Sequence, residues 1–282
     1  MAKILVSYPV LGRPNLRSMQ SLYSAIHSCK EHDITIHSSE NDSMISRVRN
    51  VHLSTFINEY TDYDYFVSID SDLEIVNRFW NNNIFTKLVS HDRKFVGGLY
   101  ALKRSDKVAT SSVLMDRDPH PGFDSGLKTA LWLSTGCWCL HRSAIEKMIE
   151  AYPELTYDGD DNMSNQKVYG LYIPMIKTLQ MRDKKVKKYL SEDWSFCERW
   201  RSLGGQIYAD TSIVLKHYGE KPFSLWETEV VVQKNVPSEK QEIRQEPQAK
   251  KSQAKEFVRT EDPEGSPLIA LPEAGFDLEG QK

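Results

Sequence analysis

Two short acidic runs and one histidine carry the residue types that chemistry requires. Asp70-Ser71-Asp72 follows the apolar segment Tyr65-Phe66-Val67-Ser68-Ile69, so two carboxylates stand at the C-terminal edge of an expected strand. Ligands of open α/β sheets bind outside the carboxyl ends of strands. Two hard oxygen donors one residue apart suit Mg2+ or Mn2+ bridging the phosphates of a nucleotide, although such triplets also occur in solvated turns. Ser191-Glu192-Asp193 opens a second acidic site. With Ser191 as N-cap, both acids fall in the first turn of a helix, where the unpaired amides and the helix dipole favour ionised carboxylates. That role is complete without catalysis; a catalytic one requires an acid aimed into a cleft as general base. His217 follows the apolar segment Ile213-Val214-Leu215. A strand there could return it to the sheet edge bearing Asp70 and Asp72, and imidazole plus carboxylates suits Mn2+ better than Ca2+.

Alternating strand-like and helix-like segments must position these groups, the pattern of an α/β domain. Strands are expected at Ile4 to Tyr8, Ile34 to His37, Tyr65 to Ile69, Phe95 to Tyr100, Leu131 to His141 and Gln206 to Ala209. Helices are expected after Asn15 as N-cap, then at Ser43 to Tyr60, Asn77 to Ser90, Ser143 to Ala151 and Glu192 to Leu203, the last ended by Gly204-Gly205. Asp158 to Gln166 reads as a polar, mobile stretch. Residues 1–225 form the expected domain and 226–282 a low-complexity tail. Lys234 to Lys255, rich in Gln, Glu, Lys, Ser and Pro, has little to bury and is expected to be disordered.

A chain of 282 residues with 40% hydrophobic residues can bury a core. Its net charge of -3 gives no global attraction to nucleic acid or membrane. No apolar run reaches the roughly 18 residues of a membrane-spanning helix, and Met1 to Tyr8 reads as a buried strand and not a leader. Cys29, Cys137, Cys139 and Cys197 do not form a disulfide framework and read as reduced packing residues, which implies a cytoplasmic setting.

In order along the chain stand Tyr8-Pro9, Arg47-Val48-Arg49-Asn50, Asp62 to Phe66 leading to Asp70-Ser71-Asp72, Val96-Gly97-Gly98-Leu99-Tyr100 with Lys103, Thr135-Gly136 before Arg142, Ser191-Glu192-Asp193 through Trp200 to Gly204-Gly205, and His217. This series, from about Lys3 to Gly219, resembles the GT-A fold glycosyltransferases of the nucleotide-diphospho-sugar transferase superfamily. The closest resemblance is to family-2-like and Anp1-like enzymes of phages and large viruses. It implies a Rossmann-like, mixed and mainly parallel sheet flanked by helices. It also implies transfer of a sugar from a nucleoside-diphosphate sugar to an acceptor hydroxyl with Mn2+ or Mg2+. Asp72 would be the main metal ligand, Asp70 would hold the metal or the ribose, and His217 would complete the shell. Asp193 would be the base of an inverting transfer, with Glu192 as fallback. Tyr8, Pro9, Arg49 and Asn50 would contact the nucleotide, and Gly97, Gly98 and Gly136 would leave room for the donor sugar. Trp194, after Asp193, reads as either a stacking platform or core.

The acceptor is open among a glycan, a protein and a modified DNA base; the setting would be a host cytoplasm if the chain is viral. Lys184, Lys185, Lys187 and Lys188 with Arg199 and Arg201 form a basic cluster that could attract an anionic acceptor or be a solvated face. The tail could bind a protein partner. Two other readings remain: a nucleotidyltransferase of the same fold, disfavoured because Gly12-Arg13-Pro14 is a meagre phosphate loop, and a catalytically inactive sugar-nucleotide-binding protein.

Overall fold

Alternation along the first strand sets the layering. Ile4, Val6, Tyr8 and Val10 join one hydrophobic cluster and Leu5 joins the other, because successive side chains of a strand point to opposite faces. The computed structural model describes residues 1–40, 42–76, 83–103, 109–115, 126–159, 166–181, 184–219 and 222–224. The elements are β1 (Lys3–Val10), α1 (Leu16–Ser28), β2 (Asp33–Glu40), α2 (Ile45–Asn58), β3 (Tyr65–Ile69), β4 (Leu73–Ile75), α3 (Ile84–Ser90), β5 (Phe95–Gly98), β6 (Val113–Leu114), β7 (Leu127–Trp132), β8 (Cys137–His141) and α4 (Arg142–Ala151). They continue with β9 (Thr156–Asp158), β10 (Lys167–Tyr169), β11 (Met175–Met181), β12 (Lys184–Leu190), α5 (Glu192–Ser202), β13 (Ile207–Asp210), β14 (Leu215–Tyr218) and β15 (Pro222–Ser224).

The central sheet runs β2-β1-β3-β8-β5-β13-β7-β6. β1 pairs in parallel with β2 and β3, and β5 with β13; β8, β7 and β6 enter antiparallel. Leu22 and Ala25 of α1 and Ile84, Phe85 and Leu88 of α3 pack in the cluster on one face. Leu53 and Phe56 of α2, Ala144, Ile145 and Met148 of α4, and Phe196, Cys197 and Trp200 of α5 pack in the other. The result is a mixed α/β sheet covered on both faces by helices.

Asn15 caps α1 as expected, its Oδ1 accepting from the amides of Arg17 and Ser18 at 2.9 and 3.2 Å. Three expectations change. Leu131 to His141 is not one strand: the chain leaves β7 at Trp132, turns through Leu133 to Gly136 and begins β8 at Cys137. The turn is held because the Asp70 amide donates to the Gly136 carbonyl and the Gly136 amide donates to the Tyr100 hydroxyl, each at 3.0 Å. The helix expected from Asn77 begins at Ile84 behind an Asn83 cap, and residues 77–82 lie outside the described residues. Of the stretch expected to be mobile, residues 160–165 lie outside them too, while its flanks pair as β9 and β10. The tail, 226–282, lies outside the described residues entirely.

All four cysteines are buried and free, as expected of packing residues. Among the described residues, no helix is long and apolar enough to cross a membrane.

Candidate functional site

Arg49 is the hub of the site. It projects from α2, with its side chain only 6% exposed, and its Nη2 lies 3.0 Å from Asp70 Oδ1. Its Nη1 donates to Ser68 Oγ at 3.3 Å, and its Nε faces Glu192 Oε1 at 3.8 Å. The guanidinium thus joins the end of β3 to the start of α5. Burial alone would lower its pKa, but the carboxylates of Asp70 and Glu192 outweigh it and hold the group above its ordinary value. A helix can carry this charge inward because its other buried polar groups are also used. Asn50 Oδ1 accepts from the Tyr172 amide at 2.8 Å, and His52 lies between Ser7 Oγ and Ser39 Oγ at 2.8 and 2.7 Å.

At the start of α5 the sequence reading is right in position and wrong in detail. Ser191 is the N-cap residue, yet its side chain makes no capping bond to a backbone amide. Its hydroxyl donates to Asp193 Oδ1 instead, the oxygen that also accepts from the Trp194 amide at 2.8 Å. Burial first, and then the neighbouring Glu192 charge, pushes the Asp193 carboxyl up to about 6, against the lowering pull of Ser191, the Trp194 amide and Arg49. A carboxyl poised near neutrality is what a general base needs. Trp194 stacks on Trp132 with ring centroids 4.3 Å apart, and its indole N–H donates to the Ser111 carbonyl at 3.0 Å.

Asp72 and His217 meet because β14 pairs antiparallel with β4, placing His217 opposite Leu73, and the Tyr218 amide donates to the Asp72 carbonyl at 2.8 Å. His217 Nε2 lies 3.4 Å from Asp72 Oδ1, and Lys103 Nζ lies 2.5 Å from Asp72 Oδ2. His217 Nδ1 sits 2.7 Å from the Ala101 carbonyl, to which it donates. Nε2 thereby faces Asp72 Oδ1, a buried oxygen that makes no closer hydrogen bond among the described residues. A carbonyl-anchored imidazole and an unsatisfied carboxylate oxygen are a fitting start to a divalent-cation site. Asp70 is engaged by Arg49, and among the described residues no group of three His, Cys, Asp or Glu side chains is placed to share a metal ion. Beside this pair opens a cleft of about 530 Å³ whose lining includes Arg13, Asn15, Asp72, Lys103 and Tyr218.

Gly136 leaves space that matters here. A Cβ on it would come within 2.7 Å of the Tyr100 hydroxyl and 2.8 Å of Asp70 Oδ2. Gly136→Ala is therefore expected to cost about 1–3 kcal/mol, as overpacking does; equilibrium urea unfolding measures it, and unchanged stability would mean that the cradle is loose. The space at Gly97 and Gly98 is filled by protein: an added Cβ would meet the Cys137 carbonyl at 2.3 Å and Ile213 Cγ2 at 2.6 Å. Tyr8 is buried in β1 with its hydroxyl 3.2 Å from Ser18 Oγ, and Pro9 pairs with Ser39.

The structure therefore brings together Arg49, Asp70, Gly136, Glu192 and Asp193, and separately Asp72 with His217. Sequence reasoning gave Tyr100 and Lys103 only a place in the motif series, and Arg13 only a place in the meagre loop Gly12-Arg13-Pro14. Burial, followed by the charges of Asp70 and Asp193, pushes the Tyr100 phenol well above its ordinary value, so it stays a neutral hydrogen-bonding group. Its position two residues after Gly97-Gly98, with Lys103 three further on, is the signal that was available.

No family model matches the chain, and no curated protein does. Among solved structures it is similar to the crystal structure of A197 from STIV, with a TM-score of 0.48 and 17% identity over 78% of this chain and 86% of that one. It is also similar to a glycosyltransferase involved in the glycosylation of the major capsid of PBCV-1, with a TM-score of 0.30 and 12% identity over 52% of this chain and 66% of that one. At these identities and scores neither likeness carries a functional assignment.

Proposed function

We propose that this chain is a metal-dependent glycosyltransferase that moves a sugar from a nucleoside-diphosphate sugar to an acceptor hydroxyl, inverting at the anomeric carbon with Asp193 as base. The observation that carries this reading is the Arg49 bridge. It draws the Asp70 strand end and the Glu192-Asp193 helix start, far apart in the chain, into one electrostatic unit.

Asp193 takes the acceptor proton as the acceptor oxygen bonds to the sugar carbon. The bond from that carbon to the diphosphate oxygen breaks, and its electron pair leaves with the phosphate. The sugar passes through an oxocarbenium-like state, as in glycoside hydrolysis. Glu192, facing Arg49, is the secondary candidate for base. Arg13 and Lys103 give the cleft beside Asp72 two cationic side chains for the diphosphate. Asp72 and His217 would hold Mn2+ or Mg2+, with Asp70 nearby on Arg49. The cation's contribution is to neutralise charge on the leaving diphosphate.

A panel of UDP-, GDP- and other nucleotide sugars, scored by thermal stabilisation and slow donor hydrolysis with and without Mn2+, tests the reading. Absence of stabilisation by every donor in both conditions would overturn it. Asp72→Ala is expected to abolish the Mn2+-dependent part of nucleotide binding while the protein still folds, because the Asp72 side chain is 34% exposed and its partner Lys103 is 38% exposed. Titration calorimetry with Mn2+ and the stabilising nucleotide measures this; a variant that keeps the full Mn2+ effect would remove Asp72 from the ligand set.

A further inference from the structure

The site consists of two sets of residues, one holding Asp70, Gly136 and Asp193 and the other Asp72 and His217, and the side chain of Tyr100 touches both. Tyr100 is buried in the connection that leaves β5. Its hydroxyl accepts from the Gly136 amide at 3.0 Å, and the Gly136 carbonyl accepts from the Asp70 amide at 3.0 Å. Its ring meets the His217 imidazole with centroids 5.1 Å apart and planes at 82°, the edge-to-face arrangement that aromatic rings prefer. The next residue completes the hold on the histidine. His217 Nδ1 donates to the Ala101 carbonyl at 2.7 Å, which leaves Nε2 to face Asp72 Oδ1 at 3.4 Å. These contacts close a circuit from Asp70 through Gly136, Tyr100 and His217 to Asp72, two residues from its start.

Packing alone does not call for a tyrosine here. Phenylalanine would give the same apolar burial, and burying a hydroxyl is unfavourable unless it is hydrogen-bonded. The bond goes to the residue at which space is tightest: a Cβ on Gly136 would meet the Tyr100 hydroxyl at 2.7 Å and Asp70 Oδ2 at 2.8 Å. Hydroxyl, turn and carboxylate therefore share one small volume. We infer that Tyr100 is a positioning residue for the transfer proposed above, with separable roles at its two ends; the inference rests on that reading. The hydroxyl fixes the turn that places Asp70. The ring fixes the imidazole that, with Asp72, would hold the cation.

Substitutions that take away one end at a time test this. Tyr100→Phe keeps the ring and removes the hydroxyl. Tyr100→Leu and Tyr100→Met remove both, the second with a side chain able to fill an irregular gap. Electron paramagnetic resonance of free Mn2+, with the full-length protein and no nucleotide, reads the ring end. Hydrolysis of the stabilising nucleotide sugar at saturating Mn2+ reads the hydroxyl end, and urea unfolding selects the variants that are folded in the assay. Groups that orient a metal-ligating histidine are worth about 10- to 100-fold in metal affinity or activity. The Phe variant is accordingly expected to hold Mn2+ within about twofold of the wild type and to lose about tenfold in hydrolysis. The Leu and Met variants should lose about tenfold in Mn2+ affinity as well. Wild-type hydrolysis in the Phe variant, wild-type Mn2+ affinity in the Leu or Met variant, or a parallel loss of both properties in the Phe variant would each overturn the inference. A wild type that binds Mn2+ but hydrolyses no donor would lose the transferase reading, and a tenfold weaker Mn2+ in the Leu variant would still uphold the role of the ring. Donor hydrolysis with equal Mn2+ affinity in the wild type and the Leu variant would keep that reading and sink the inference. No Mn2+ binding by the wild type would overturn both.

Discussion

Asp193→Asn is expected to lower sugar transfer by about 10²- to 10⁴-fold, the range a positioned general base contributes, with nucleotide-sugar binding retained. In the wild type, the rate should climb as pH rises through about 6, because only the deprotonated carboxylate can take the acceptor proton. The variant should lose that limb of the profile. Stability provides a check that needs no substrate. The carboxyl's pKa rises from 3.8 to about 6 on folding, so between those values the native state holds a proton that the unfolded chain releases. Stability contributed by this group therefore falls as pH rises through that window. The amide carries no such charge. Asp193→Asn should match the wild type near pH 4 and exceed it above pH 6, by up to about 3 kcal/mol at 1.36 kcal/mol per unit. Urea unfolding at the two pH values, beside the rate profile, separates a base from a packing residue. Full activity in the variant would place the base elsewhere, with Glu192 next to be tested.

Arg49→Met should have the largest effect on the fold. Removing one partner from a buried ion pair costs about 3–5 kcal/mol, because the remaining charges stay desolvated. Here two carboxylates, Asp70 and Glu192, lose the same cation. Arg49 also pulls the Asp193 carboxyl down, so its loss should move the rising limb of the pH profile above 6. Thermal or urea unfolding measures the first effect, and rates across pH the second in whatever fraction folds. Arg49→Lys keeps the charge without the fork, and should recover part of the stability and most of the pH position. A Met variant with native stability would show that Arg49 bridges nothing.

The alternating pattern made the sheet and most helices legible, because β1, β3 and β5 are short apolar runs and α1 carries a recognisable Asn15 cap. Both acidic runs were legible as chemistry. Their connection was not. α2 buries Arg49, Asn50, His52, Ser54 and Thr55 along with Val48, Leu53 and Phe56, and hydrophobic periodicity cannot register a face whose burial is satisfied by hydrogen bonds. The resemblance gave Arg49 and Asn50 as nucleotide contacts; within the protein Arg49 faces two carboxylates and Asn50 holds the Tyr172 amide. The β11–β12 hairpin escaped notice for the opposite reason. In Lys184 to Leu190 the face that carries Val186 and Leu190 also carries Lys184 and Lys188, so its alternation reads as charge and not as a strand. At Leu131 to His141 the apolar content hid the turn, which is held by tertiary hydrogen bonds from Asp70, to Tyr100 and to Ser112.

The pairing of β14 with β4 also fixes an order of events during synthesis. Asp72 and Leu73 leave the ribosome early, whereas Leu215 to Tyr218, which complete their three-stranded sheet, follow some 140 residues later. Until then Asp72 can find Lys103 but not His217. The Asp72–His217 pair is therefore one of the last contacts whose residues are both made, closing the chain's return from β13 to the edge of β4.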